Sequence, residues 1–293
     1  MKTNLALGLC LCAFLLSLLR PRMAQLSPEE LYGARANEIL ASIPDYMPPG
    51  EATGLAMPKE ILLFGDSLLE LSSDPLLTFP LSAALVHTFR RRADVVCRAL
   101  SGYTSRWLSH TPLERVEKEL NDKELFMAVL LLGTNDSILP GFPHHVPVEE
   151  FERNLRKILD SVIGTIKSES TGKPLIVLAT PPPCSLKQLA NSKMSDSGKS
   201  RSNKAVEQYV SSIHKVAQES YSEGPAIVQV LDLYKIFTEI SKSSPIENFL
   251  LDGLHFNGEG YKVLYVEIMD IVKKLGSQLR PIPMVEPHFS ALI

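Results

Sequence analysis

Three side chains spread along the sequence have the chemistry of acyl transfer. Ser67 ends the run Ile61-Leu62-Leu63-Phe64-Gly65-Asp66, so a hydroxyl is held out at the tip of an apolar element. A serine hydroxyl is a weak nucleophile at neutral pH and needs an adjacent base. Among the seven histidines, His255 is the candidate base, because Asp252 precedes it by one turn. Side chains at that spacing share a face. The carboxylate can then accept from one ring nitrogen and leave the other to face the serine. Acyl transfer also needs donors for the developing oxyanion. The Ser67 N–H is one candidate. The Gly102 N–H is a second, since glycine lets backbone approach a ligand closely. The side-chain amide of Asn135 is a third. Asp66 and Asp136 are read as acceptors that brace their own loops. His87, His144 and His145 have bland surroundings. Each of these residues also has an ordinary reading taken singly: a helix cap, a turn glycine, a turn asparagine, a partly buried histidine.

The chemistry depends on elements that bring these residues together. Five short apolar runs, at 61–65, 94–98, 126–132, 174–180 and 226–231, are rich in Val, Ile and Leu without strict alternation. That pattern suits parallel strands covered on both faces. Between them lie helical stretches at 80–92, 104–120, 147–167, 203–221 and 258–275. Alternating strand and helix predicts a three-layer α/β domain with a five-stranded parallel sheet and right-handed crossovers. In such a domain ligands bind beyond the carboxyl ends of the strands. The residues that follow the runs are Gly65-Asp66-Ser67, Ser101-Gly102-Tyr103, Gly133-Thr134-Asn135-Asp136 and Thr180-Pro181-Pro182-Pro183, a polar set converging on one sheet edge.

The 293 residues suffice for one large domain, predicted at 59–277. A net charge of -3 gives no basic footprint for nucleic acid. Of the four cysteines, Cys10 and Cys12 lie in the N-terminal apolar run, Cys97 reads as a small buried residue, and Cys184 follows three prolines in a loop open to exposure. They form neither a disulfide framework nor a zinc spacing. No G-x-S-x-G surrounds Ser67. Phosphate-binding glycine motifs are also missing, and no cofactor or metal is expected. Residues 1–23 form an apolar leader whose core, 5–19, is shorter than the roughly 20 residues of a membrane span. A secretory leader, a short membrane anchor and an organelle-targeting segment all fit, and Met23 offers an internal start. Membrane association through 5–19 and an intracellular, cytoplasmic location both stay open. Asn135-Asp136-Ser137 is the one N-glycosylation acceptor, and a glycan there would block the site, which argues mildly against a lumenal fate. Residues 24–58 form a Pro-broken arm that wraps the domain, with a helix near 28–41. The polar stretch 184–204 is either a mobile surface loop or a lid, and 278–293 is a Pro-rich tail.

Gly65-Asp66-Ser67-Leu68, then Gly102, then Gly133-x-Asn135-Asp136, then Asp252-x-x-His255 resemble the four blocks of the GDSL/SGNH hydrolase superfamily, in the same order. Finer text is similar to the isoamyl acetate-hydrolysing esterase branch: Arg92-Ala93-Asp94-Val95-Val96, Ser101-Gly102-Tyr103, His145-Val146-Pro147, Asn154-Leu155-Arg156-Lys157, Thr180-Pro181-Pro182-Pro183 and Leu251-Asp252-Gly253-Leu254-His255. The resemblance implies a flavodoxin-like fold and a metal-free serine esterase. It implies Ser67 as nucleophile, Asp252 and His255 as its partners, and Ser67, Gly102 and Asn135 as the oxyanion hole. Short-acyl esters of small alcohols are the expected substrates. Lysophospholipids, thioesters and acetylated carbohydrates remain alternatives, as does a non-catalytic binding module on the same fold. Leu68-Leu69-Glu70 and Cys97 depart from the branch, where Ile-Thr-Gln and Asn are more usual. These departures are expected to bear on acyl and alcohol preference.

Overall fold

In a computed structural model, residues 26–41, 57–167, 172–192, 197–220 and 224–282 are described. The five apolar runs are the strands of one sheet. In chain order the elements are α1 (Pro28–Ala41), β1 (Lys59–Gly65), α2 (Ser67–Glu70), α3 (Leu81–Thr88), β2 (Ala93–Cys97), α4 (Ser105–Leu108), α5 (Thr111–Asn121), β3 (Leu125–Leu131), α6 (Val148–Gly164), β4 (Leu175–Ala179), α7 (Leu186–Asn191), α8 (Ser197–Ser200), α9 (Asn203–Ser220), β5 (Ile227–Leu231), α10 (Leu233–Ile240) and α11 (Gly258–Leu275). The strand order is β2-β1-β3-β4-β5, and every neighbouring pair is parallel. The winding reverses between β1 and β3, which opens a crevice beyond their carboxyl ends. Ser67 follows β1 and Asn135 follows β3, so the reversal places both at that crevice.

The three central strands, β1, β3 and β4, bury side chains on both faces, which is why their runs do not alternate apolar with polar, whereas the edge strands β2 and β5 are largely half-buried. Ile61, Leu63, Val129 and Val177 pack against α3, α10 and α11. Leu62, Phe64, Leu130 and Leu178 point the other way, against α5, α6 and α9. The covering helices carry apolar stripes at helical spacing. In α6 the buried residues are Phe151, Leu155, Ile158, Leu159 and Val162. α11 begins on a side-chain cap: Asn257 accepts from the N–H groups of Glu259 and Gly260. Lys273 and Lys274 lie in its last turn, where cations favour the helix dipole.

The α/β architecture and the five parallel strands are as expected from the sequence, but the connections differ in three places. The single helix expected over 104–120 is two, α4 and α5. Pro112 stands in the first turn of α5, a position that tolerates proline, whereas one continuous helix would have to carry it in the interior. The stretch 80–92 is helical only over Leu81–Thr88, and Arg91 turns the chain with a φ of 60° before β2. The stretch 184–204 is not a loop over its described part. It carries α7 and α8, with Leu189 and Ser200 buried. Cys184 is buried rather than exposed, because Asn203 ties it down through both its N–H and its thiol.

Of the arm, α1 lies along α11. The Tyr32 hydroxyl donates to Glu267 at 2.7 Å, and Arg35 pairs with Asp270. The tail begins by pairing with the sheet's far end: the Arg280 N–H donates to the Lys173 carbonyl at 2.9 Å. The leader, including 5–19, lies outside the described residues. Among the described residues no helix is long and apolar enough to cross a membrane.

Candidate active site

The nucleophile candidate is set by the way β1 ends. A Cβ on Gly65 would fall 1.9 Å from the Leu131 carbonyl oxygen, so only glycine lets β1 and β3 meet here. The same carbonyl accepts the Asp66 N–H at 3.2 Å. Asp66 then caps the short helix α2 by accepting from the Leu68 N–H at 3.0 Å. Ser67 is left as the first residue of that turn, its hydroxyl turned toward His255.

Asp252 and His255 share a tight bend rather than the helical turn that their spacing suggested. Gly253 has a φ of 96°, and the Leu251 N–H closes the bend on the His255 carbonyl at 2.8 Å. Asp252 Oδ1 accepts from the N–H groups of Leu254 and His255, both at 2.9 Å. Its other oxygen, Oδ2, lies 2.7 Å from His255 Nδ1, and His255 Nε2 lies 2.9 Å from Ser67 Oγ. Burial alone would raise the Asp252 pKa. The His255 ring and the two backbone donors outweigh burial and bring it down to about 2. An ionised carboxylate only accepts, so the His255 Nδ1–H donates to Asp252. Nε2 is then left to accept from the Ser67 hydroxyl.

The two other loops meet this row. The Ser101 N–H donates to Glu70 Oε2 at 2.7 Å, and Gly102 turns the chain with a φ of 77°, a conformation that disfavours a side chain. Asn135 Nδ2 donates to the Tyr103 carbonyl at 2.9 Å, which joins the β2 and β3 loops. Ser67, Gly102, Asn135 and His255 line one cleft of about 510 Å³. The structure thus brings every candidate site residue to one place.

Known proteins resemble this chain in sequence and in fold. A sequence model of the GDSL-like lipase/acylhydrolase family matches residues 63–263, from the middle of β1 into α11. The chain belongs to that GDSL family. The isoamyl acetate-hydrolyzing esterase of Saccharomyces cerevisiae is 30% identical over 229 residues, 76% of this chain and 90% of that protein. The human isoamyl acetate-hydrolyzing esterase 1 homolog is 28% identical over 82% of this chain and 90% of its own length. With the family and these relatives comes the reaction class, carboxylic-ester hydrolysis. Among solved structures, a lipase/acylhydrolase from Enterococcus faecalis superposes with a TM-score of 0.51 at 22% identity, over 76% of this chain and 98% of that one. The acetylxylan esterase Axe2 from Geobacillus stearothermophilus gives 0.53 at 19% identity, over 75% of this chain and 96% of that one. At these identities the two structures bear on the fold.

The GDSL block itself holds a correction. Leu68 and Leu69 are fully buried in the core, and Glu70 is taken up by the Ser101 N–H. Cys97 lies under the Leu69 carbonyl. These departures from the branch therefore shape the packing beneath the site, while Leu71, one residue further on, reaches the cleft. Three polar residues in the cleft wall escaped the sequence reading, His144, Ser200 and Arg201. His144 sits edge-on to Trp107, with centroids 5.3 Å apart. Its Pro-rich loop gave no periodic signal. Arg201 lies in a stretch read only as polar. The arginine within a Ser/Lys-rich run carried no motif.

The two bracing aspartates of the GDSL site are costly to ionise. Asp136 accepts from the Ser105 N–H at 2.9 Å and the Ser105 hydroxyl at 2.5 Å. Burial, outweighing these bonds and aided by nearby Asp66, pushes its pKa from 3.8 up to about 7. Burial likewise pushes Asp66 up to about 6. A carboxyl with a raised folded pKa stabilises most below its unfolded value and loses that contribution as pH rises through the folded one. For Asp136 the window is 3.8 to about 7. The melting temperature of Asp136→Asn minus that of wild type should therefore rise between pH 4 and pH 8. Thermal melts across that range check it, and a flat or falling difference would contradict the assignment.

Proposed function

We propose that this protein is a serine esterase that hydrolyses short-acyl esters of small alcohols through a Ser67 acyl-enzyme. The supporting observation is the unbroken row from Asp252 through His255 to Ser67, at 2.7 Å and 2.9 Å. In this reading the Ser67 oxygen attacks the ester carbonyl as His255 Nε2 takes its proton. Asp252, ionised, holds the ring and offsets the charge of the imidazolium. The N–H groups of Ser67 and Gly102 and the amide of Asn135 donate to the tetrahedral oxyanion. His255 returns the proton to the departing alkoxide. A water then gives its proton to His255 and cleaves the acyl-enzyme, releasing the acid and restoring Ser67.

Leu71, Ile138, Phe142 and Pro143 give the cleft an apolar wall suited to a short aliphatic chain. The named activity of the yeast relative points the same way. The test is a series of p-nitrophenyl esters from acetate to octanoate, run beside a fluorophosphonate probe. The probe should label Ser67. The value of kcat/KM should fall by about tenfold or more from butyrate to octanoate, as an outgrown apolar pocket demands. Rising activity with chain length would move the substrate class to lipids. Failure of the probe to label Ser67, where a control esterase is labelled, would leave only a binding role.

A further inference from the structure

The cleft contains a charged group that the acyl-transfer steps do not use. Arg201 lies just past α8 and reaches the loop after β3. Its Nη1 donates to the Thr134 carbonyl at 2.6 Å, and its Nη2 donates to Asn135 Oδ1 at 3.3 Å. Next to it, the Leu139 N–H donates to the Ser200 carbonyl at 2.8 Å, so the 197–201 segment is docked on that same loop. Arg201 Nε is enclosed and has no partner. Burial disfavours the Arg201 charge and lowers its pKa, and Cys184, Asp66 and Asp252 lie close enough to offset part of that cost.

We propose that Arg201 is a positioning residue for the oxyanion hole, fixing which way the Asn135 amide faces. This rests on Asn135 acting as an oxyanion donor. A primary amide can rotate end for end, and the flipped form would offer the oxyanion an acceptor in place of a donor. A guanidinium only donates, so the atom it meets must be the amide oxygen. That forces Nδ2 to the opposite side, where the Tyr103 carbonyl takes one of its two hydrogens at 2.9 Å. The second hydrogen is left for the substrate. Arg201 and Tyr103 thus impose the same orientation from opposite sides. The planar fork of arginine also meets two acceptors on successive residues, Thr134 and Asn135, through two different nitrogens in fixed geometry, whereas a lysine ammonium would have to serve both from one rotatable nitrogen. The polar 184–204 stretch, read from sequence as a surface loop or lid, acquires a defined task at its end: it delivers this guanidinium.

The test is a double-mutant cycle on p-nitrophenyl acetate, with active sites titrated by a fluorophosphonate so that kcat refers to competent molecules. Asn135→Ala should lower kcat by about 100-fold or more, as for loss of one oxyanion donor. Arg201→Ala should lower kcat by about 10- to 100-fold with KM within about threefold, the pattern of an interaction made in the transition state. The double variant should be no slower than Asn135→Ala alone, within about threefold, because both changes remove the same donor. Arg201→Lys, which keeps the charge and loses the fork, should show most of the loss and stands in if the alanine variant does not fold. A purely packing role would lower the titratable fraction and the melting temperature while leaving kcat per titrated site intact. That result overturns the proposal. So does a multiplicative loss in the double variant, a wild-type kcat in Arg201→Lys, or a loss confined to KM for esters bearing a carboxylate. If wild type hydrolyses no ester and leaves Ser67 unlabelled, the esterase reading falls instead.

Discussion

Replacing Ser67 by alanine is expected to lower kcat by about 10⁵-fold or more, with the fold intact. The expectation of an intact fold comes from the surroundings of the side chain. Its one described hydrogen bond is to His255 Nε2. The Asp66 cap and the Leu131 contact that hold this turn belong to its neighbours. Alanine keeps the Cβ and removes only the oxygen. What would remain are the proposed oxyanion donors and the cleft, which by themselves give roughly 10³- to 10⁴-fold over water in comparable triads. His255→Ala should cost about as much, and the double variant little more, since nucleophile and base act as one unit. The measurement is steady-state hydrolysis of p-nitrophenyl acetate beside a thermal melt. Activity of Ser67→Ala within about tenfold of wild type would place the nucleophile elsewhere.

Asp252→Asn should lower kcat by about 10⁴-fold while scarcely altering the backbone. An asparagine oxygen can still accept from the N–H groups of Leu254 and His255, so the bend persists. The amide NH₂ then faces His255 Nδ1, where a carboxylate accepted before. A donor there requires a bare Nδ1, and the proton moves to Nε2. His255 would then present a hydrogen to Ser67 instead of a lone pair, and could not take the serine proton. The wild-type carboxylate, held at about 2, stays ionised throughout ordinary working pH. The rate of the Asn variant should therefore not be restored by moving between pH 5 and pH 8. A rate within about tenfold of wild type would mean that Asp252 does not set the histidine tautomer.

The sheet was legible because its three central strands are buried on both faces, and burial on both faces writes itself as unbroken apolar runs such as 126–132. The site was legible for a related reason. Every nucleophile, base and oxyanion candidate follows a strand or sits just before α11, where a change from apolar to polar text is abrupt. Legibility failed where packing is decided by partners remote in sequence. Nothing local distinguishes Arg201 from the surface lysines around it; its acceptors are Thr134 and Asn135, on another loop. The prolines before Cys184 left its exposure open, and Asn203 decides for burial. Leu68 and Leu69 looked like specificity residues because they adjoin Ser67. The direction in which α2 turns is fixed by the Asp66 cap, and that sends them into the core.

Asp252 and His255 come as a local pair, three residues apart on one bend, whereas the hydrogen bond from His255 to Ser67 spans 188 residues. The two halves of the site therefore differ in when the chain can make them. The hydrogen bonds between Asp252 and His255 are local, although the bend is also braced from α7's start, where the Ser185 N–H donates to the Gly253 carbonyl at 2.9 Å. The bond to Ser67 needs β1 inserted between β2 and β3 and the C-terminal segment folded back over it. Contacts of such long sequence separation are entropically late in folding. Reactivity at Ser67 is thus expected to report on the completed domain.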